Sequence, residues 1–461
     1  MIRYIFVLVC SIFMRSVFAA PIVVSSIKDL QEAINKALPG TSIILKNGSY
    51  YTEADILVGC SGTKTNPIII QAQTIGGAII TGKGGISLVS PASHIVVRGF
   101  KFTHVASRAR SAAGTRSCRW TRNVFETPGK GEYLTIAGDD HEIDYNTFQH
   151  KKEMGRILAI RGEGSQIAQR LHIHHNYFYD FPDQGGANGA ETLQFGLSGL
   201  SLSTSNSIVE YNLFEKCHGE NELISVKASG VTLRYNTIWD CPAQFTLRHG
   251  NRCEVYGNFF FNTPGLRIYG DDHHIFSNYF ENCSQAITIG NGGAEVADGA
   301  PLTSHDRPDR VLIAFNTLVD NQKNILLQAR QNGLGATAIT IADNIIQGGA
   351  EAAVLSGPLK EGVWKNNWLY KVAGPGDIPA GGYKLKDAQL VKDSKGIYRL
   401  GAKSPAIGSA DADFKVVNVD MDAQVRKGKR DAGADQYMQQ KSVAQVLQNS
   451  QAGAAANQYS R

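Results

Sequence analysis

The sequence contains no apolar stretch after residue 20 that is long enough to cross a membrane, so we expect no membrane span. Its 461 residues are 43% hydrophobic and 19% charged, which is ordinary for a globular protein. The formal net charge is +5, and it falls to +3 when Arg3 and Arg15 of the N-terminal segment are set aside. A charge this small does not indicate a nucleic-acid partner.

Cysteine is scarce, and no CxxC or Cys/His pattern predicts a metal site. One of the seven cysteines, Cys10, lies in the N-terminal segment; the others are Cys60, Cys118, Cys217, Cys241, Cys253 and Cys283. Their density is far below that of a disulfide scaffold. We interpret them as small buried core residues and leave disulfide pairing open.

Residues 1–20 are typical of a cleaved signal peptide. Arg3 precedes an apolar run over 4–14, and small residues follow at 19–20. We therefore expect an exported protein, either periplasmic or secreted. Residues 438–461 are rich in Gln, Ala, Ser and Asn, which predicts a mobile tail.

Residues 21–437 are expected to form one domain that begins with a short strand and a capping helix. The pattern predicts a strand over 22–24 and an amphipathic helix over 25–38, with Ser26 or Asp29 near its start. Short strands with turn signals follow, for example at 42–45 and 68–70, and no long helix pattern appears after them.

One short phrase, "apolar, x, x, Asn, x, apolar", recurs along the chain. The Asn residues of its clear copies are Asn146, Asn176, Asn212, Asn236, Asn258, Asn278, Asn316 and Asn344, with weaker copies at Gly99, Asn123 and Asn367. Successive copies from Asn212 to Asn278 are 24, 22 and 20 residues apart, which indicates stacked coils. An Asn at a fixed turn tolerates tight backbone angles, and its amide can bond the coils above and below.

A second phrase alternates apolar and other residues between these Asn copies, as a strand does. Its copies begin at residues 134, 158, 193, 224, 245, 266 and 287, and the last four are each 21 residues apart. If each coil places one such strand on the last, the fold is an all-β, single-domain, right-handed parallel β-helix.

The outward fourth position of this phrase should form one column, because neighbouring strands lie about 4.8 Å apart. The column contains Arg161, Gly196, Lys227, Arg248 and Tyr269, and Arg267 is outward in the next column. It is either an ordinary basic surface or a groove for a polyanion.

Two acids, Glu220 and Glu222, lie just before Lys227. Strict alternation would turn Glu222 inward with Ile224, so we expect a bend between these two residues. The acids could be salt-bridge partners of Lys227 or hard oxygen ligands for Ca²⁺; spacing alone does not decide between these roles.

These residues together resemble the site of polysaccharide lyase family six, the chondroitinase-B-like group that includes many alginate lyases. The resemblance runs from about Ile22 to Tyr437. It is carried by the motif NGAETLQFG at 188–196, by Glu220 and Glu222, by Lys227, and by LRHG at 247–250.

The resemblance implies a role for each matching residue. Asn188, Glu220 and Glu222 match calcium ligands, Lys227 a Brønsted base, and Arg248 a proton donor or catalytic cation. The substrate-contacting set that we expect is His249, Arg267, Tyr269, Arg161 and Gln194. Gln194 lies where several relatives carry an arginine, which puts subsite preference in doubt.

The implied reaction is β-elimination in a 4-O-linked uronate polymer. Ca²⁺ on the uronate carboxylate would stabilise the charge that develops when the C5 proton leaves. Lys227 must be neutral to accept this proton. We expect a monomer that acts on an acidic polysaccharide, with alginate as the first choice and dermatan sulfate as the alternative.

Two other classes remain open. A hydrolase of the same architecture would need paired acids, for which Asp139–Asp140 and Asp271–Asp272 are candidates, although both pairs resemble repeat-turn acids. A non-catalytic polysaccharide-binding β-helix would leave the convergence of acids, lysine and arginine unexplained.

Overall fold

The computed structural model describes residues 20–411, 413–438 and 446–457. The predicted signal peptide lies outside the described residues except for Ala20. Three long sheets run the length of the molecule, and their strands pair in parallel with one strand of each sheet per coil. This confirms the parallel β-helix.

We number the sheets I, II and III. Sheet I consists of Ile22–Val24, Ser42–Leu45, Ile68–Ala72, Ile95–Arg98, Arg119–Thr121, Glu142–Asp144, His172–His174, Ile208–Glu210, Thr232–Arg234, Glu254–Tyr256, His274–Phe276, Leu312–Ala314, Thr340–Ala342 and Val363–Lys365. Sheet II, which carries the candidate site, consists of Ile56–Val58, Ile86–Leu88, Arg110–Ser111, Leu134–Ile136, Leu158–Ile160, Leu193–Phe195, Glu222–Lys227, Gln244–His249, Leu266–Ile268, Ile287–Ile289, Ile325–Leu327 and Ala353–Leu355. Sheet III consists of Gly48–Thr52, Ala78–Gly82, Lys101–Phe102, Val124–Phe125, Thr147–Gln149, Tyr177–Phe181, Leu213–Cys217, Thr237–Trp239, Phe259–Phe261, Tyr279–Glu281, Thr317–Val319, Ile345–Gln347, Asn367–Tyr370 and Tyr383–Leu385.

Three small strand pairs lie outside these sheets. They are Gly162–Glu163 with Gln166–Ile167, Ala336–Thr337 with Leu359–Lys360, and Leu390–Lys392 with Tyr398–Leu400. Two short 3₁₀ helices span Ser198–Leu200 and Val296–Asp298.

The α-helix spans Ile27–Asn35, inside the predicted 25–38. Ser26 is its N-cap, because the Ser26 side chain accepts a hydrogen bond from the Asp29 backbone N–H. Leu30 and Ile34 are buried against the first coil, so the helix covers that end of the core. Among the described residues, no helix has the length and apolar character needed to cross a bilayer.

The core is built from inward-facing side chains that stack from coil to coil. On sheet III, Phe125 lies 4.8 Å from both Phe102 and Phe148 between ring centroids, and Phe178 lies 4.6 Å from Phe214. Five cysteines are buried and free, as the sequence interpretation predicts: Cys118, Cys217, Cys241, Cys253 and Cys283. Cys60 is also free but only partly buried, so the interpretation as a buried core residue is wrong for Cys60.

The recurring Asn residues form a buried ladder between sheets I and III. The Asn236 backbone N–H and side-chain Nδ2 both donate to Asn258 Oδ1 at 3.0 Å, and the same pattern runs from Asn123 to Asn367. The tight backbone angle belongs to the residue before each Asn, for example Tyr235 with φ 53°. The amide role is therefore confirmed, whereas the left-handed turn position is one residue earlier than expected.

The C-terminal stretch 446–457 lies against the β-helix, whereas the sequence predicts a mobile tail from 438. Arg122 donates from NH1 to the carbonyls of Ala454 and Ala456, and Leu447 is buried. The small apolar residues of this stretch allow its backbone to pack closely on the β-helix. The overall polar composition of the stretch does not predict this contact.

Candidate active site

Sheet II is irregular where the predicted site residues lie. The strand Glu222–Lys227 pairs with Gln244–His249, and its register shifts twice, between Glu222 and Ile224 and between Val226 and Lys227. The first shift is the predicted bend. Because of the second, Lys227 pairs with His249. The expectation that Lys227 and Arg248 occupy equivalent positions is wrong, because Arg248 lies in a bulge.

Three acids converge at this irregularity. Glu191, Glu220 and Glu222 are all buried, and their carboxylates offer oxygens that lie within 4.8 Å of one another. Glu191 was not among the predicted ligands. Glu191 follows the exposed loop that carries Asn188, and it lies inside the motif at 188–196. Its position in the alternating pattern is that of a core residue, so the sequence does not identify it as a ligand.

Glu220 has a buried oxygen that lacks a partner. Its Oε2 accepts a hydrogen bond of 2.8 Å from the Gly189 backbone N–H, whereas Oε1 has no hydrogen-bond partner among the described residues. Burial, reinforced by repulsion from Glu191 and Glu222, raises the pKa of Glu220 to about 7. A divalent cation fits this donor set, because clustered carboxylate oxygens are the ligands that Ca²⁺ prefers.

Glu191 is linked to the predicted base. Its Oε1 lies 3.4 Å from Lys227 Nζ and accepts a hydrogen bond of 2.6 Å from Gln194, and its Oε2 accepts one of 3.0 Å from Arg156. Burial opposes ionisation of Glu191, but Arg156 and Lys227 outweigh it and lower the pKa of Glu191. Glu191 is therefore an anion that holds the Lys227 side chain in place.

Glu222 is linked to two arginines. Arg267 NH2 donates to Glu222 Oε1, and Arg248 Nε lies 3.3 Å from the same oxygen. Ser225 donates to the other Glu222 oxygen at 2.6 Å. Burial lowers the pKa of Arg248, but an arginine this basic stays cationic. The structure thus brings Lys227, Arg248 and Arg267 to the edge of one acid cluster.

Aromatic side chains line the next coil. His249 is buried, and desolvation together with Arg248 and Lys227 lowers the pKa of His249 to about 3, so it is a neutral imidazole. The Tyr269 ring stacks on His305 at 4.7 Å, and Arg330 NH1 lies 3.0 Å from His305 Nδ1. His305 and Arg330 were missed, because they come from loops outside the repeat.

The other predicted contacts are less central. Gln194 is buried, and its amide points to Glu191. Arg161 lies three coils from Arg248 along sheet II, with NH2 3.8 Å from Glu132. Asn188 is exposed on its loop, one residue before Gly189.

The acid pairs considered for hydrolysis lie at turns. Arg170 Nε contacts Asp140 at 2.6 Å, and Arg310 Nε contacts Asp272 at 2.7 Å. The histidine after each pair is buried and accepts a backbone N–H from a cysteine of the preceding coil. These acids therefore belong to the repeat turns, as the sequence suggested.

Comparisons with known proteins agree with the fold and identify a family. Residues 24–333 match the family model described as Chondroitinase B. The structure of the PL6 family alginate lyase AlyGC superposes with a TM-score of 0.75 and 26% identity, covering 83% of this chain and 56% of that chain. A mannuronic acid specific family 6 polysaccharide lyase from human gut microbiota has a TM-score of 0.67 and 22% identity, with coverages of 80% and 92%.

A family 6 polysaccharide lyase from Pseudopedobacter saltans has a TM-score of 0.65 and 20% identity, covering 76% of this chain and 93% of that chain. At these lower identities the likeness concerns the fold alone. The chain spans little more than half the length of AlyGC. No curated protein sequence matches it.

Proposed function

Because this chain belongs to the chondroitinase B family, we propose that it is a calcium-dependent lyase that cleaves a polyuronate by β-elimination. One observation carries the proposal. Three buried acids with an unpartnered oxygen lie beside Lys227 and two arginines on one sheet of a β-helix. In a purely structural salt-bridge network most buried carboxylate oxygens have a partner, so an unpartnered one beside two other acids indicates a ligand.

Glu220, Glu222 and Glu191 would hold the cation, with Asn188 as a further candidate on the adjacent loop. When bound, Ca²⁺ supplies positive charge that stabilises the uronate carboxylate as its C5 proton becomes acidic. Arg248 and Arg267 both pair with Glu222. A cation on Glu222 would compete with both guanidinium groups and leave them available to an acidic substrate.

Lys227 is the proposed acceptor of the C5 proton, and Glu191 positions its side chain. Arg248 stabilises the leaving 4-O oxygen by charge, and the proton that this oxygen gains comes from Arg248 or from water. His249 is uncharged, so it contributes hydrogen bonds to the sugar. Arg267, Tyr269 and Arg161 complete the proposed substrate contacts, whereas the buried Gln194 acts on the site through its hydrogen bond to Glu191.

Alginate is the proposed substrate, because AlyGC, at 26% identity, is described as an alginate lyase. Dermatan sulfate is the second candidate, because the matching family model carries the name chondroitinase B. Incubation with polymannuronate, polyguluronate, alternating alginate and dermatan sulfate, followed by sizing of the unsaturated products, distinguishes them. Binding without product would favour a non-catalytic protein.

Lys227→Ala and Arg248→Ala should each abolish the ultraviolet absorbance of the unsaturated product. Lys216→Ala is the matched control, because Lys216 is an exposed lysine on sheet III. The control should keep full activity. Product formation by Lys227→Ala at the unaltered rate would contradict the role of Lys227 as the base.

A chelator should suppress activity, and added Ca²⁺ should restore it. Glu222→Gln should weaken this restoration, because it removes a carboxylate from the cluster. Full activity in protein shown by elemental analysis to be metal-free would contradict the calcium role. We also propose, from residues 1–20, that the protein is exported; its recovery only from the cytoplasm of the native cell would contradict this.

A further inference from the structure

The chain leaves the repeat between Ile287–Ile289 and Leu312–Ala314. The intervening loop, residues 290–311, folds on itself: the Gly293 N–H donates to the His305 carbonyl at 3.0 Å, and the Arg307 N–H donates to the Ala294 carbonyl at 3.0 Å. His305, which stacks on Tyr269, belongs to this loop. The position of the loop therefore affects the wall of the candidate active site.

Three acids meet where this loop contacts the β-helix. Asp271 lies at a β-helix turn, whereas Glu295 and Asp306 lie on the loop, and their carboxylates offer oxygens within 4.8 Å of one another. Asp271 is 6% exposed and Asp306 is 5% exposed. None of these acids belongs to the cluster of Glu191, Glu220 and Glu222.

Asp271 presents a buried acceptor to this cluster. Its Oδ1 has no hydrogen-bond partner among the described residues, and the whole side chain is more than nine-tenths buried, with 9% exposure. Asp306 is partly satisfied: Oδ1 accepts a hydrogen bond of 2.8 Å from the Val296 N–H, and the Arg307 backbone N–H also lies beside its carboxylate. A buried carboxylate oxygen without a donor is costly and therefore indicates a ligand.

The neighbouring arginines do not neutralise the acids. Arg310 lies 3.3 Å from Asp271 Oδ2, but its half-exposed guanidinium also contacts Asp272 and Asp309. Arg307 pairs with Glu295 at 2.6 Å. Five acids thus face three arginines in this group: Asp271, Asp272, Glu295, Asp306 and Asp309 against Arg252, Arg307 and Arg310.

The buried acceptor of Asp271 and the surplus of carboxylates over arginines both favour a bound cation. A cation satisfies all three carboxylates at once, and oxygen-only ligands favour a hard ion such as Ca²⁺.

We propose that Asp271, Glu295 and Asp306 form a second divalent-cation site, of the Ca²⁺ class, that fastens loop 290–311 to the β-helix. The site is structural: it holds the backbone that presents His305 to Tyr269. It does not depend on the proposed lyase activity.

Calcium binding to the full chain tests this proposal without any polysaccharide. Equilibrium dialysis with Ca²⁺ alone measures the number of Ca²⁺ ions bound per chain. It compares the wild-type protein with the double variant Asp271→Asn/Asp306→Asn. The same comparison is repeated in a Glu220→Gln/Glu222→Gln background, in which the first acid cluster is disrupted. The Asn substitutions should remove one bound Ca²⁺ per chain, or weaken it at least tenfold, in both backgrounds. Equal Ca²⁺ binding with and without these substitutions would overturn the proposal, whatever the activity of the protein.

Asp272→Asn is the matched control, because Asp272 is the adjacent acid and contacts Arg310 but lies outside the three-acid cluster. It should retain the site. Hydrogen exchange of loop 290–311 gives a second readout, and unchanged exchange in the rest of the β-helix shows that a variant is folded. Ca²⁺ should slow exchange of this loop in wild-type protein and in Asp272→Asn but not in Asp271→Asn/Asp306→Asn; no effect of Ca²⁺ on the wild-type loop would also overturn the proposal.

Discussion

Truncation of one Asn in the buried ladder should destabilise the fold strongly. The Asn258 side chain accepts from the Asn236 N–H and Nδ2, each at 3.0 Å, and donates to the Leu233 carbonyl and Asn278 Oδ1, also at 3.0 Å. Asn258 is fully buried, so water cannot replace these partners. Asn258→Ala therefore removes an acceptor and a donor from the centre of the stack.

The magnitude follows from the backbone groups that lose a partner. The Asn236 N–H loses its acceptor and the Leu233 carbonyl loses a donor, and each unsatisfied buried group costs about 1–3 kcal/mol. We expect a loss of roughly 2–6 kcal/mol in the free energy of unfolding. Losses of this size are typical of substitutions in a buried hydrogen-bond network. Exposed substitutions usually change the free energy of unfolding by less than about 0.5 kcal/mol.

Urea unfolding followed by circular dichroism measures this loss, with the midpoint and slope compared between variants. Asn66→Ala is the control, because Asn66 is exposed and lies outside the ladder. A loss below about 1 kcal/mol for Asn258→Ala, or one equal to that of the control, would contradict a stabilising role for the ladder.

Two further predictions concern charge. Glu191→Gln removes the anion that contacts Lys227 and Arg156, so we expect the rate of product formation to fall at least tenfold. The circular dichroism spectrum should stay unchanged. An unaltered rate would show that Glu191 has no positioning role. His273 is buried, and burial lowers its pKa to about 4, so its contribution to stability is complete above about pH 6.5 and is lost as the pH falls towards 4. The stability difference between wild type and His273→Asn should therefore narrow by about 2 kcal/mol from pH 7 to pH 5, and a constant difference in urea unfolding would contradict this.

The repeat made most of the fold predictable. Each coil repeats an alternating strand and an Asn, and stacking converts that period into position, so sheet II, the Asn ladder and the capping helix could all be located. The bend before Ile224 also followed from the sequence, because a buried strand with strict alternation cannot hold both acids outward.

Residues outside the repeat could not be predicted in the same way. His305 and Arg330 reach the site from loops whose path is set by tertiary contacts. The packing of 446–457 depends on close contact of small residues with the β-helix surface, which has no periodic signature. Glu191 lies two residues before the inward Leu193, so alternation assigns it to the core.

The second bulge explains why an even spacing misled the alignment at the site itself. Lys227 and Arg248 are 21 residues apart, as are the paired residues Ile224 and Phe245, yet Lys227 pairs with His249. A regular strand would present only one of two consecutive residues on its outer face. The extra residue places Arg248 next to Glu222 and pairs His249 with Lys227, so the irregularity that breaks the sequence pattern brings the cationic and neutral groups together.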